Sequence, residues 1–179
     1  MPNAPAREAA AAGWAARARR AAAARPPVLD FAAMDQAVPV ARFSTEVRVR
    51  YADTDAAGVC YYANYLAFFE VARVELMRHL GVPIREAEAR GFVFPCVEAR
   101  LRYHRPALLD DLLAVELWVT EVRRSSFSFA YRVLRDDDLV ASGETRHAAV
   151  DPSSLRPARL PDWLISLFDA APGTVDKAR

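Results

Sequence analysis

A carboxylate lies in a turn-forming segment that leads directly into the longest helical pattern of the chain. The segment reads ADTDAAG, residues 52–58, and its second carboxylate is Asp55. A helix N-terminus presents unpaired backbone N–H groups and the positive end of the helix dipole. Such donors stabilise a carbonyl oxygen that becomes an oxyanion, while a nearby carboxylate attacks the carbon or activates water. The pattern is compatible with acyl-transfer chemistry, but these residues alone equally fit an Asx turn or a helix cap at Asp55.

The residues that follow this carboxylate supply the other parts of such a site. By position, the backbone N–H of Tyr62 is the best oxyanion donor, and Gly58 gives the turn its freedom. Asn64 falls in the first helical turn, where it either belongs to the site or satisfies backbone groups. Glu70 is a second carboxylate two turns along the same helix. Arg73 follows three residues later, so a simple Glu70–Arg73 ion pair is the structural alternative.

A second group of polar residues joins two predicted strands. Arg123, Arg124 and Ser125 place two guanidiniums and a hydroxyl at one turn. Arginine offers a planar fork of donors that suits phosphate, so this turn is a candidate phosphate-binding segment. The alternative is a solvated hairpin turn without a ligand.

Other reactive side chains show no functional spacing. Cys60 and Cys96 stand far apart, and we interpret them as two buried thiols rather than as zinc ligands or a disulfide. The three histidines are scattered and predict neither a catalytic triad nor a metal site. The sequence contains no glycine-rich phosphate loop.

The elements that position these residues follow from hydrophobic periodicity. Apolar residues alternate in the segment TEVRVRY, so a strand is predicted to run to Tyr51. Helical spacing extends from Tyr65 to Leu80, and Gly81 is placed to end that helix. A short helix is predicted near residues 84–90, and a last one in DWLISLFDA. Four further strand patterns occupy residues 97–104, 113–120, 126–133 and 139–150. One strand, one long helix and four antiparallel strands predict an α+β fold whose sheet wraps around the helix.

Composition sets the broad class of the protein. The 179 residues are 53% hydrophobic and 26% charged, with a net charge of +1, as in soluble globular proteins. No apolar run reaches the ~20 residues of a membrane span, and the charge does not indicate nucleic-acid binding. Residues 1–40 are rich in Ala and Arg, and we expect an extension without a catalytic role. We expect one domain over residues 41–165 and a C-terminal tail over residues 166–179.

Three motifs together resemble one known family. They are YADTDAAGVCYYANYLAFFEVAR, RPALLDDLL and VRRSSF, and the likeness runs from residue 45 to residue 161. They resemble the 4-hydroxybenzoyl-CoA thioesterase family of hotdog proteins, and within it the acyl-CoA thioesterase branch associated with the Tol-Pal envelope system. The resemblance implies a hotdog fold, a five-stranded antiparallel sheet around one long helix. It also implies hydrolysis of acyl-coenzyme A without a metal or cofactor.

The resemblance also carries over to individual residues. Asp55 matches the catalytic aspartate of the family. Glu70 lies roughly where other hotdog thioesterases carry their catalytic Glu, so the resemblance makes it the rival base. Tyr62 stands where the family often has His, so a backbone oxyanion role persists there but a side-chain acid or base role does not. The segment from Arg123 to Ser125 corresponds to one that meets the coenzyme's phosphates, although Ser125 replaces a Lys. Tyr61 is expected to contact substrate, and the aromatic residues of the motif region are expected to line an acyl pocket whose preference stays open.

Assembly and location are likewise implied by the resemblance. It implies a homodimer or homotetramer with sites at the subunit interface, a cytoplasmic location, and acyl-CoA or an acyl carrier protein as the thioester donor. Two other functions remain open. A hotdog dehydratase requires a His paired with an acid near the helix, and a non-catalytic protein would bind acyl-CoA or an acyl carrier protein without turnover.

Overall fold

The computed structural model describes residues 42–171 as a sheet and three helices. The predicted extension over residues 1–40 lies outside the described residues. The strands are β1 (Phe43–Arg48), β2 (Cys96–Tyr103), β3 (Leu112–Val122), β4 (Ser126–Arg135) and β5 (Asp138–Ala148). The helices are α1 (Asn64–His79), α2 (Ile84–Ala89) and α3 (Asp162–Asp169), and a one-turn 3₁₀ helix spans Tyr51–Asp53. Within the described residues, no helix is long and apolar enough to cross a membrane.

The five strands form one antiparallel sheet in the order β1-β3-β4-β5-β2. The central strands β3, β4 and β5 follow one another through hairpins, whereas β1 and β2 form the two edges. The α+β class and the five-stranded antiparallel sheet predicted from the sequence are therefore confirmed. Because β2 pairs with β5 alone among the described strands, its outer edge is not paired by any strand of residues 42–171.

Helix α1 lies across the inner face of the sheet. Its apolar stripe, which includes Tyr65, Phe69 and Leu76, is almost completely buried. The Phe69 ring stacks on Tyr131 of β4 with ring centroids 4.2 Å apart. A Cβ added to Gly143 of β5 would come within 2.6 Å of the Phe69 ring, so the absence of a side chain at Gly143 lets the helix approach the sheet.

Two details of the first strand and of β2 differ from the sequence prediction. Tyr51 was expected to lie on the first strand, but it lies in the 3₁₀ helix and is 83% exposed. The strand ends early because the backbone and guanidinium of Arg50 donate to the Asp53 carboxylate, which closes that turn. On β2, Val97 is 47% exposed because no other strand of residues 42–171 lies beyond this edge. Cys96, which we expected to be buried, is exposed for the same reason.

The end of the domain also differs from expectation. Helix α3 continues past residue 165, where we expected the domain to end, and reaches Asp169. Leu164 and Phe168 are fully buried, and the Phe168 ring lies 4.9 Å from that of Phe127 on β4. Residues 166–171 are thus part of the folded domain rather than of a tail.

Candidate active site

Asp55 lies at the start of a tight turn between the 3₁₀ helix and α1. One carboxylate oxygen, Oδ1, accepts a hydrogen bond of 2.8 Å from the N–H of Ala57, which is an Asx turn. The backbone closes the same turn, because Gly58 N–H donates to the Asp55 carbonyl and Asp55 N–H donates to the Val59 carbonyl, both at 2.9 Å. Gly58 has φ +76°, a left-handed conformation that favours glycine. The turn therefore fixes one oxygen of an exposed carboxylate and leaves the other to solvent.

The start of α1 carries backbone N–H groups without intramolecular partners. No side chain caps the helix, and among residues 42–171 no acceptor is hydrogen-bonded to the N–H of Tyr62 or of Ala63. The Asn64 side chain does not serve as a cap, since its Nδ2 donates to the Asp53 carbonyl at 2.9 Å. That carbonyl also accepts the N–H of Tyr61 at 2.8 Å. The helix start is thus fastened to the preceding turn while its leading donors stay available.

The tyrosine pair beside Asp55 is exposed, and the neighbouring cysteine is not. The rings of Tyr61 and Tyr62 lie 4.4 Å apart, and hydrogen bonding from Tyr62 is the main cause that raises the pKa of Tyr61, with Asp55 adding to it. Cys60 is buried, and its burial, with the charges of Asp53 and Asp55, raises the thiol pKa to about 11. Cys60 is therefore a protonated thiol at neutral pH.

A cavity of about 410 Å³ opens between α1 and the sheet, toward the edge formed by β2. Glu70 and Arg73 contribute its helix wall. No ion pair among the described residues includes either side chain, so the Glu70–Arg73 pair suggested by their spacing does not form. Its full lining is as follows: Leu66, Phe69, Glu70, Arg73, Phe94, Pro95, Cys96, Ala99, Tyr131, Thr145 and His147.

The sheet wall of this cavity is a buried chain of hydrogen bonds. The Tyr131 hydroxyl lies 3.0 Å from Thr145 Oγ1, which lies 3.0 Å from His147 Nε2. His147 Nδ1 lies 3.2 Å from the carbonyl of Phe94, so both ring nitrogens have partners. Burial is the main cause that lowers the pKa of His147 to about 4, and Arg73 lowers it further. His147 is thus a neutral structural residue rather than the paired histidine that a dehydratase requires.

The predicted phosphate-binding segment lies at the other end of the sheet. Arg123 and Arg124 are exposed in the β3–β4 turn, and Arg123 pairs with Glu121 at 2.6 Å. The carbonyl of Ser125 accepts the N–H of Ala149 just beyond β5 at 2.9 Å. The eleven residues of β3 separate this turn from the Asp55 loop, roughly 35 Å along the strand. Within one protomer, Asp55 therefore lies in the same loop region as Gly58, Tyr61, Tyr62 and Asn64. Arg123 and Arg124 lie far from this region.

The chain was compared with known proteins. Residues 49–168 match the family described as the Thioesterase-like superfamily. The chain is 35% identical over 127 residues to the acyl-CoA thioester hydrolase YbgC of Escherichia coli O6:H1, covering 70% of this chain and 95% of that protein. It is 38% identical over 127 residues to the acyl-CoA thioesterase YbgC of Haemophilus influenzae, covering 70% and 93%. The solved 1,4-dihydroxy-2-naphthoyl-CoA thioesterase Slr0204 of Synechocystis has a TM-score of 0.68 at 26% identity, covering 72% of this chain and 96% of that one.

These similarities cover the parts of the molecule that form the candidate site. The family match begins at Val49, just before the Asp55 loop, and ends inside α3. It includes α1, the cavity and all the strands except β1. The sheet that wraps around one long helix is the hotdog fold, as the motifs implied. The chain therefore belongs to the thioesterase-like superfamily.

Proposed function

We propose that this protein is an acyl-CoA thioesterase, which hydrolyses the thioester of acyl-coenzyme A to a free acid and coenzyme A. The observation that carries the proposal is the fixed carboxylate of Asp55 beside the unpaired N–H groups at the start of α1. The names of the YbgC relatives support the same activity. A protein that only binds acyl-CoA requires no carboxylate at this position.

The reaction follows from this arrangement. The free oxygen of Asp55 accepts a proton from water, and the water oxygen attacks the thioester carbon. The carbonyl oxygen becomes an oxyanion that the N–H of Tyr62 stabilises. Collapse of this intermediate breaks the carbon–sulfur bond, and the departing thiolate takes up the proton that Asp55 accepted, which regenerates the carboxylate. Because Oδ1 is held by Ala57, Asp55 keeps its orientation through these steps.

A complete site requires two protomers in this proposal. The Asp55 loop lies at the Tyr103 end of β2, since the Tyr103 hydroxyl reaches the carbonyl of Tyr62. The arginine turn lies at the Cys96 end, where β5 and β2 pair. If two copies of β2 pair antiparallel about a two-fold axis, each Asp55 loop meets the partner's arginine turn. The exposed edge of β2 supports this pairing, which produces two sites per dimer.

The cavity supplies the acyl pocket in the same assembly. It opens at the Cys96 end of β2, so the partner's Asp55 loop would lie at its mouth. Its apolar lining from Leu66, Phe69 and Phe94 suits an acyl chain or ring. Glu70 lines the same cavity. In this proposal its carboxylate lies near the acyl group and away from the start of α1.

Release of free thiol from a panel of acyl-CoAs tests the activity. Purified protein is mixed with short, long and aromatic acyl-CoAs, and a thiol reagent reports the rate. Asp55→Asn keeps the acceptor for Ala57 N–H but loses the charge, so we expect an intact fold and at least about a hundredfold lower turnover. Absence of thiol release from every acyl-CoA, or an unchanged rate in Asp55→Asn, would refute the proposal.

Isotope labelling detects an acyl-aspartyl anhydride that water opens at the aspartyl carbonyl, whereas an anhydride opened at the acyl carbon gives the same label as activated water. A single turnover in oxygen-18 water is followed by mass spectrometry of the peptide that contains Asp55. The activated-water route places label only in the released acid. Label in the Asp55 carboxylate would instead show an acyl-aspartyl anhydride opened at the aspartyl carbonyl.

The motif resemblance supports three finer proposals. We propose that the protein belongs to the 4-hydroxybenzoyl-CoA thioesterase-like family and, within it, to the acyl-CoA thioesterase branch associated with the Tol-Pal envelope system. We also propose that it acts in the cytoplasm and assembles as a homotetramer built from two such dimers. An acyl carrier protein is the alternative thioester donor. Light scattering checks the assembly, and rates with matched acyl-CoA and acyl-carrier-protein thioesters identify the donor.

A further inference from the structure

One hydrogen bond connects the edge of the sheet to the start of α1. The hydroxyl of Tyr103, the last residue of β2, donates to the carbonyl of Tyr62 at 2.9 Å. Among residues 42–171, it is the one donor that reaches this carbonyl. The neighbouring backbone bonds bypass it, since Asn64 N–H donates to Tyr61 and Leu66 N–H donates to Ala63.

Packing holds the Tyr103 ring in place for this contact. The ring meets Tyr65 of α1 edge-on, with centroids 5.4 Å apart. The Tyr65 hydroxyl in turn accepts the N–H of Ala107 at 3.4 Å. Partial burial raises the pKa of Tyr103, and the nearby Tyr62 and Cys60 raise it further. The hydroxyl therefore stays protonated and remains a donor at neutral pH.

The held carbonyl fixes the direction of one free N–H group. It belongs to the planar peptide between Tyr62 and Ala63, so the Ala63 N–H must point away from β2. The N–H of Tyr62 belongs to the preceding peptide, whose Tyr61 carbonyl accepts the N–H of Asn64 at 2.9 Å. Tyr103 therefore acts on the Ala63 N–H. Without Tyr103, no other described residue would hold this carbonyl.

We infer that Tyr103 is a positioning residue for the thioesterase reaction, because it orients the Ala63 N–H, an unpaired donor next to the Tyr62 N–H at the start of α1. The inference rests on the proposed function. Tyr103 touches neither the reacting carbon nor the attacking water, so its effect passes through the backbone of Tyr62. Loss of the Tyr103 hydroxyl should destabilise the transition state, where the oxyanion exists, and should not weaken binding of the ground-state thioester.

Tyr103→Phe removes the hydroxyl and keeps the ring that packs on Tyr65. Loss of an oxyanion donor typically costs about a hundredfold or more, and misorientation costs less, so we expect kcat to fall about tenfold. KM should stay within about twofold, because substrate binding is unaffected. Tyr65→Phe is the matched control, since it loses a hydroxyl from the adjoining ring without releasing the Tyr62 carbonyl.

Inhibitor affinity provides a readout that a purely structural role would not change. A trifluoromethyl ketone analogue of acyl-CoA mimics the oxyanion, whereas a thioether analogue does not. Tyr103→Phe should weaken the ketone about as much as it lowers kcat/KM and leave the thioether unchanged. Wild-type kcat in Tyr103→Phe, equal weakening of both analogues, or an equal loss of kcat in Tyr65→Phe would overturn the inference. Failure of the wild-type protein to release thiol would instead refute the proposed function.

Discussion

Hybrids of two catalytically impaired variants test whether each site combines residues of two protomers. One variant carries Asp55→Asn, and the other carries Arg123→Ala together with Arg124→Ala. In a hybrid, one site combines the intact Asp55 of one protomer with the intact arginines of its partner. The second site lacks all three side chains. Catalysis should therefore reappear in a mixture of chains that are each deficient alone.

The magnitude follows from the symmetry of the dimer and the exposure of the arginines. Arg123 must leave an exposed ion pair with Glu121 to reach a phosphate, so about 1 kcal/mol per guanidinium is a reasonable contribution. Loss of both then lowers kcat/KM about thirtyfold, since 1.4 kcal/mol is about a factor of ten. Random association of equal amounts gives half hybrids with one intact site each, so kcat/KM should reach about a quarter of the wild-type value.

Both chains are produced together, and thiol release is measured at acyl-CoA concentrations well below KM. If each site lay within one protomer, no hybrid would have an intact site, and kcat/KM would stay at about 2% of wild type. The control pairs the wild-type chain with a chain that carries all three substitutions. Sites shared between protomers predict about a quarter of wild-type kcat/KM for that control, whereas sites within one protomer predict about a half.

Three further outcomes are expected. Glu70→Gln should lower kcat less than about tenfold, because Asp55 is the base; complete loss of thiol release with an intact fold would make Glu70 the base instead. Gly143→Ala places a Cβ against the Phe69 ring and the backbone of β2, so it should lower the free energy of unfolding by about 3 kcal/mol. Gly91→Ala meets no atom within 4 Å and should lower it by only about 1 kcal/mol, the cost of its positive φ. Equal losses for the two variants in denaturant unfolding would contradict this. The folded pKa of His147, about 4, lies below its ordinary 6.5, so stability is full above pH 6.5 and is lost as pH falls toward 4. Unfolding at pH 5 should therefore require about 2 kcal/mol less than at pH 7, and His147→Leu should flatten this dependence; an unchanged slope would show that another group titrates.

The fold was largely predictable because its signals are local. Helical spacing from Tyr65 onward and the stop at Gly81 predicted α1, which ends at His79. Alternation predicted β3, β4 and β5 as strands. The turn residues around Asp55 predicted a loop, and the structure adds the Asx bond to Ala57 that fixes the carboxylate.

The parts that sequence reasoning missed depend on contacts between distant elements. Thr145 and His147 line the cavity because β5 lies next to β4 beneath α1, and the order of strands cannot be read from alternation. Exposure of Val97 depends on β2 being an edge. Tyr103 carries no motif of its own, and its contact with Tyr62 depends on where β2 ends relative to α1.

The burial of Cys60 has a consequence for chemical selectivity. Thiolates exchange readily with thioesters, so a reactive cysteine five residues after Asp55 would capture acyl groups from the substrate and stall as an acylated protein. With a thiol pKa of about 11, only about one Cys60 in ten thousand is a thiolate at pH 7. Cys60 is also only 4% exposed to solvent. An acyl thioester at this loop thus meets a carboxylate and water, whereas the Cys60 thiol does not react with it.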